Sequence, residues 1–137
     1  MKNKGFTLIE LLAVIVILAI IALIATPIIL SIINDARKGA AKQGAELVIS
    51  NVELAYATAY TNSSVPGTAP KLSEVAAAFK MKGATMTVAN GKATFTVDDT
   101  NVTCAQDEAE GKLKVTCTTS DNKTATTTAD MPITAES

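Results

Sequence analysis

The 137-residue chain has no histidine and no tryptophan, and only two tyrosines, three phenylalanines and two cysteines. Without histidine there is no Ser/His or Cys/His nucleophile pair and no imidazole to ligate a metal. Two cysteines are too few for a four-thiolate metal site. Charged residues are 18% of the chain, the net charge is −1, and the basic residues form no cluster. That argues against a nucleic-acid surface, which needs concentrated Lys and Arg. An enzyme is not expected, nor is a cofactor. The length suits one domain.

Apolar residues, in contrast, are abundant at 48%, and the excess lies before residue 34. Phe6 to Ile33 is interrupted only by Thr7, Glu10, Thr26, Pro27 and Ser31, and Leu11 to Ala25 is wholly apolar. A helix of this length spans a hydrocarbon core of about 30 Å. A cleaved secretory signal fits the charged start at Lys2 and Lys4, but its apolar region is usually shorter. Its small-residue cleavage pattern is also missing, because Ala19, Ala22 and Ala25 recur every three residues. A plain anchor would place both lysines on the cytoplasmic side. Neither reading uses Glu10. A charge at the centre of a spanning helix costs about 2.5–3.5 kcal/mol, and less near an end. Glu10 is either tolerated at the interface or awaits a cation. Cleavage after Gly5 would create one, the α-amino group of Phe6.

The run Lys4-Gly5-Phe6-Thr7-Leu8-Ile9-Glu10-Leu11-Leu12 resembles the processing site of type IV prepilins, the class III signal, and the resemblance continues through Pro27 into Asn34-Asp35-Ala36-Arg37. It is closer to pilin-like proteins of Gram-positive Firmicutes than to Gram-negative ones. The resemblance implies that residues 1–5 are a leader removed by the membrane prepilin peptidase between Gly5 and Phe6. It implies N-methylation of Phe6, and pairing of Glu10 with the Phe6 amine of a neighbouring subunit. Leader loss removes two of the 12 basic residues and none of the 13 acidic ones, taking the net charge from −1 to −3. Implied partners are further copies in a helical homopolymer, the peptidase, the assembly platform and its ATPase, and the cytoplasmic membrane. Pro27 deletes a helical N–H and clashes with the carbonyl of Leu23, so a kink is expected there. By resemblance this segment loses helicity in a filament, although Ala19, where many Gram-negative pilins carry glycine, favours helix.

The expected architecture is α+β. A long N-terminal helix has a membrane half, 6–33, and an amphipathic half, and it packs on a small antiparallel sheet of three or four strands. The extracytoplasmic head is 34–137. Ala41, Ala45, Val48, Val52, Ala55 and Ala59 recur at helical spacing and predict a core stripe. Gly39 and Gly44 weaken the helix. A turn cluster, 61–67, ends it. A short helix follows with Ser73 as its cap, Glu74 in its first turn and Gly83 as its stop. Val75, Ala76 and Phe79 face inward. Asn90-Gly91 between alternating runs predicts a hairpin of 85–89 with 92–97. Met86, Val88, Ala93, Phe95 and Val97 then face the long helix. A second hairpin pairs 102–105 with 112–118. The tail from Thr118 is either an edge strand near 123–128 or mobile.

Cys104 and Cys117 fall on the two arms of that second hairpin. They either bridge, as an oxidising exterior favours, or stay as reduced buried thiols. Asp98, Asp99, Asp107, Glu108 and Glu110 offer hard oxygen donors, but no EF-hand spacing links them and no metal site is assigned. The Asn-x-Ser/Thr triplets at Asn62, Asn101 and Asn122 match a glycosylation pattern by chance. The function implied is a structural pilus subunit serving adhesion, motility or DNA uptake. The rivals are a pseudopilin of a secretion or competence system and a membrane-anchored adhesin that never polymerises. The precursor is expected in the cytoplasmic membrane, head outside, and the product at the cell surface.

Overall fold

The computed structural model describes residues 5–108 and 111–134. The leader lysines Lys2 and Lys4, and Glu110 of the acidic loop, lie outside the described residues. The element order is α1 (Leu8–Thr61), α2 (Leu72–Ala78), β1 (Ala84–Ala89), β2 (Lys92–Val97), β3 (Val102–Gln106), β4 (Val115–Thr119) and β5 (Thr124–Thr126). The α+β expectation holds, with five strands in place of three or four. They form one antiparallel sheet in chain order, β1-β2-β3-β4-β5.

Contacts divide the chain into two compact units, one ending at Arg37 and one beginning at Lys38. In the first, every described residue is exposed except the half-buried Ala25. α1 runs as continuous helix through Pro27. The Thr26 hydroxyl donates to the Ala22 carbonyl at 2.6 Å, one residue before the Leu23 carbonyl that proline leaves without its donor.

In the second unit, the predicted stripe is the core face of α1. Ala41, Ala45, Val48, Val52, Ala55 and Ala59 are all buried, and Ile49 joins them. Small side chains let the sheet approach closely: the Val102 methyl lies 3.8 Å from where a Cβ on Gly44 would stand. Leu72, Val75, Phe79, Leu113, Val115, Cys117 and Met131 are further members of the core, with Ala84, Met86, Ala93, Val102 and Cys104 of the sheet.

Several boundaries differ from expectation. α2 is capped at Lys71, not Ser73, because Glu74 at the third helical position accepts the Lys71 backbone N–H at 2.8 Å. That is one half of a capping box. The helix stops at Ala78, with Phe79 already extended. Gly83, at φ +91°, serves the turn into β1 instead. Val75 and Phe79 are buried and Ala76 half-buried. On the inner face of β1 and β2, Phe95 meets Phe79, just past the end of the short helix, edge-on, with ring centroids 6.1 Å apart. Asn90 and Gly91 both have positive φ, 54° and 75°, as a type I′ hairpin turn demands.

β4 begins at Val115, not Lys112, because the chain before it pairs elsewhere. The Leu113 N–H donates to the Met131 carbonyl at 2.8 Å, and Lys112 bridges to Pro132. The tail therefore forms β5 and then folds back over the head. The Ile133 N–H donates to the Gly111 carbonyl, the Thr134 N–H to the Pro70 carbonyl, and the Tyr56 hydroxyl to the Pro132 carbonyl at 2.8 Å. Glu53 of α1 accepts from the Thr128 and Ala129 N–H groups at 2.8 and 3.3 Å.

Candidate assembly site at the N-terminus

Gly5, Phe6 and Thr7 precede α1 without regular structure, and all three are exposed, Phe6 at 89%. A Cβ on Gly5 would meet nothing within 4 Å. Nothing among the described residues therefore requires glycine there.

Thr7 and Glu10 are three residues apart and form a reciprocal pair. The Glu10 N–H donates to Thr7 Oγ1 at 3.2 Å, and the Thr7 N–H donates to Glu10 Oε2 at 3.4 Å. The Leu11 N–H reaches the Thr7 carbonyl at 3.2 Å. This is a capping box, in which two otherwise orphaned helix N–H groups find acceptors. The signal was present in the sequence as Thr-x-x-Glu before an apolar run. The carboxylate stands in the first turn, where the helix dipole favours negative charge. Only Oε2 is engaged among the described residues, and a carboxylate accepts several hydrogen bonds. Glu10 can cap its own helix and still receive an ammonium group.

Around it stands an uninterrupted apolar surface, with Leu8, Ile9, Leu11 and Leu12 each more than half exposed. α1 is long and apolar enough to cross a membrane. Residues 1–26 match the family described as the prokaryotic N-terminal methylation motif. This chain carries the class III signal of type IV prepilins. The motif covers the Gly5–Phe6 junction, Glu10 and most of the apolar run. No curated protein and no solved structure matches the chain. The motif points to the type IV pilin and pseudopilin class.

The remaining candidate residues lie in the head. Cys104 and Cys117 face each other in the β3–β4 register and are joined in a disulfide, with Cα atoms 4.0 Å apart. Both are buried against the core, Cys117 completely. The acidic side chains have local roles. Asp99 accepts from the Asn101 N–H at 2.9 Å, Asp107 from the Thr116 hydroxyl at 2.6 Å, and Glu108 pairs with Lys92 at 3.1 Å. Among the described residues no group of three potential metal ligands converges. Asn62 and Asn122 are exposed in turns and Asn101 is half-buried.

Proposed function

We propose that this chain is the subunit of an extracellular type IV pilus, and that its chemistry is assembly. The observation that carries this reading is a methylation motif fused to a helix whose large apolar side chains before residue 34 are all exposed among the described residues. Such a surface is stable only in lipid or against other copies of itself.

The precursor rests in the cytoplasmic membrane with residues 1–5 inside and the head outside. Prepilin peptidase cuts between Gly5 and Phe6. Phe6 becomes the methylated N-terminus, and its ammonium group pairs with Glu10 of a neighbouring subunit. In low dielectric that pair is worth far more than in water, and it removes the cost of an unpaired carboxylate. The assembly platform and ATPase then drive transfer of α1 from lipid into the fibre core. Pro27 gives the helix a point at which it kinks or loosens as neighbours pack.

Glu10→Ala tests the charge pairing. The variant should be processed, methylated and folded, yet give few or no filaments in sheared surface material. Filaments at wild-type abundance would remove charge pairing from the mechanism. Processed wild-type protein confined to the membrane would favour the pseudopilin reading.

A further inference from the structure

The two edges of the head sheet are built differently. β5 is three residues long, and the chain then leaves it to fold back over the head. β1 has six residues and, within the sheet, pairs only with β2. Short length, proline and lysine within the strand are usual means of blunting an edge. β1 has none of them. Its main-chain groups follow from the hairpin. Asn90-Gly91 closes it in two residues, so Ala89–Lys92 is a hydrogen-bonded pair and the pairs alternate from there. Val88–Ala93 and Met86–Phe95 are then the pairs whose N–H and C=O groups point away from each other. The far side bears out this phase, because the Ala93 N–H turns toward β3 and donates to the Gln106 side chain at 2.6 Å. On the near side the N–H and C=O groups of Met86 and Val88 face outward. They meet no partner among the described residues. Ala84, next in that series, is taken up by a bridge to Met81.

Beside this edge the chain splays away. An open depression of about 530 Å³ separates residues 79–82 from the start of β1. Phe79, Met81 and Met86 give it an apolar floor, and Lys80 and Lys82 stand on its rim. Both lysines are exposed, and neither side chain has a hydrogen-bond or ion-pair partner among the described residues. The unpaired main-chain groups call for an extended backbone. The unpaired ammonium groups call for carboxylates on it. The lysines also disfavour a second copy of β1. In parallel pairing they would lie against their own equivalents, and in antiparallel pairing beside the turn that leads to Lys92.

We propose that the outer edge of β1 receives an extended acidic peptide segment as a sixth strand. The segment's main chain pairs with Met86 and Val88. Its side chains alternate between the two faces of the sheet, as in any added strand. Apolar ones on one face cover the depression, and carboxylates on the other reach Lys80 and Lys82. The edge belongs to the head alone, so the proposal does not depend on the filament reading.

The test uses the full chain in neutral detergent and a fluorescein-labelled heptapeptide alternating valine and glutamate, read by fluorescence anisotropy. A peptide with lysine in place of glutamate is the charge control. A third, N-methylated on alternate residues, keeps the charge and loses the ladder. The glutamate peptide should bind and the lysine peptide should not. N-methylation should weaken binding about tenfold, the effect of two or three lost hydrogen bonds. Hydrogen exchange should slow at residues 86–88 when the glutamate peptide is bound. The double variant Lys80→Glu, Lys82→Glu changes only exposed side chains and should keep its melting temperature. Its preference should reverse toward the lysine peptide. Failure of the wild type to bind, equal binding of the N-methylated peptide, an unchanged preference in the double variant, or slowed exchange elsewhere but not at 86–88 would overturn the proposal. So would self-association of the wild type through residues 84–89 in place of peptide binding.

Discussion

Residues 8–37 and 38–61 belong to one helix yet answer to different surroundings. In the first stretch large aliphatic residues occupy every side and stay exposed, Leu23 at 79% and Ile24 at 61%. In the second, the inward residues are mostly Ala and Val on one stripe, and Val48 and Val52 are completely covered. Apolar content alone does not make a core. A core needs apolar residues at one phase of the helix and side chains small enough for a sheet to close over them. The first stretch meets neither condition. Its bulk on all sides suits a fluid or a bundle, and the one carboxylate inside its apolar run, Glu10, caps its own first turn.

The comparison breaks most completely at Gly5. A Cβ there has open space, so Gly5→Val should leave the folded head unchanged while abolishing leader removal and all filament formation. Intact mass would show residues 1–5 retained, and the thermal melt of the head would not move. A shift in the melt would give Gly5 a structural role that its surroundings do not suggest.

Next in size are losses confined to the head. Met131 is almost completely buried, so Met131→Ala should cost about 2–5 kcal/mol of head stability, read by urea unfolding in detergent. Processing at Gly5 should be untouched. Replacing both cysteines, Cys104→Ser with Cys117→Ser, should cost about 2–4 kcal/mol and should leave leader cleavage intact. If either variant stopped cleavage while its head still folded, leader removal would depend on the head.

The smallest effects are those of pH. The Thr119 hydroxyl, foremost among its neighbours, holds the Asp121 carboxyl below its usual value against some burial. Its contribution is present above the ordinary aspartate pKa of about 3.9 and is lost as pH falls through the lower folded value. Burial chiefly, then Tyr60 and Asp130, push the Tyr56 phenol up. Its contribution is complete below about pH 10 and is lost as pH rises through the raised folded value. Thermal melts should therefore fall at both extremes and stay level between. Asp121→Asn should flatten the acid limb only.

The sequence displayed most of this arrangement. The α1 stripe was legible because its spacing is helical over five turns, and the first hairpin because Asn90-Gly91 permits few alternatives. The cysteines sat on opposite arms of a visible hairpin, though their oxidation state was open. What escaped was long-range or conditional. Met131 lies in a Thr-rich tail between Asp130 and Pro132, and nothing local says that its segment returns to pair with Leu113. Ser73 is a better cap by type than Lys71, but Glu74 reaches the Lys71 N–H and moves the start of α2. Phe95 is expected against the long helix, and its ring meets Phe79, just past the end of α2, edge-on. At the N-terminus the apolar run makes Glu10 stand out as a charge in search of a partner. Its second use, as the far member of a capping box with Thr7, is equally readable from the Thr-x-x-Glu spacing before an apolar run.

The central claim is that the N-terminal unit is processed and then buried among copies of itself. Intact mass of the protein in sheared surface filaments tests it most directly. The account predicts a species beginning at Phe6, one methyl group heavier and two hydrogens lighter for the Cys104–Cys117 bridge. A surface or membrane species that keeps residues 1–5 in cells with a working peptidase would contradict it.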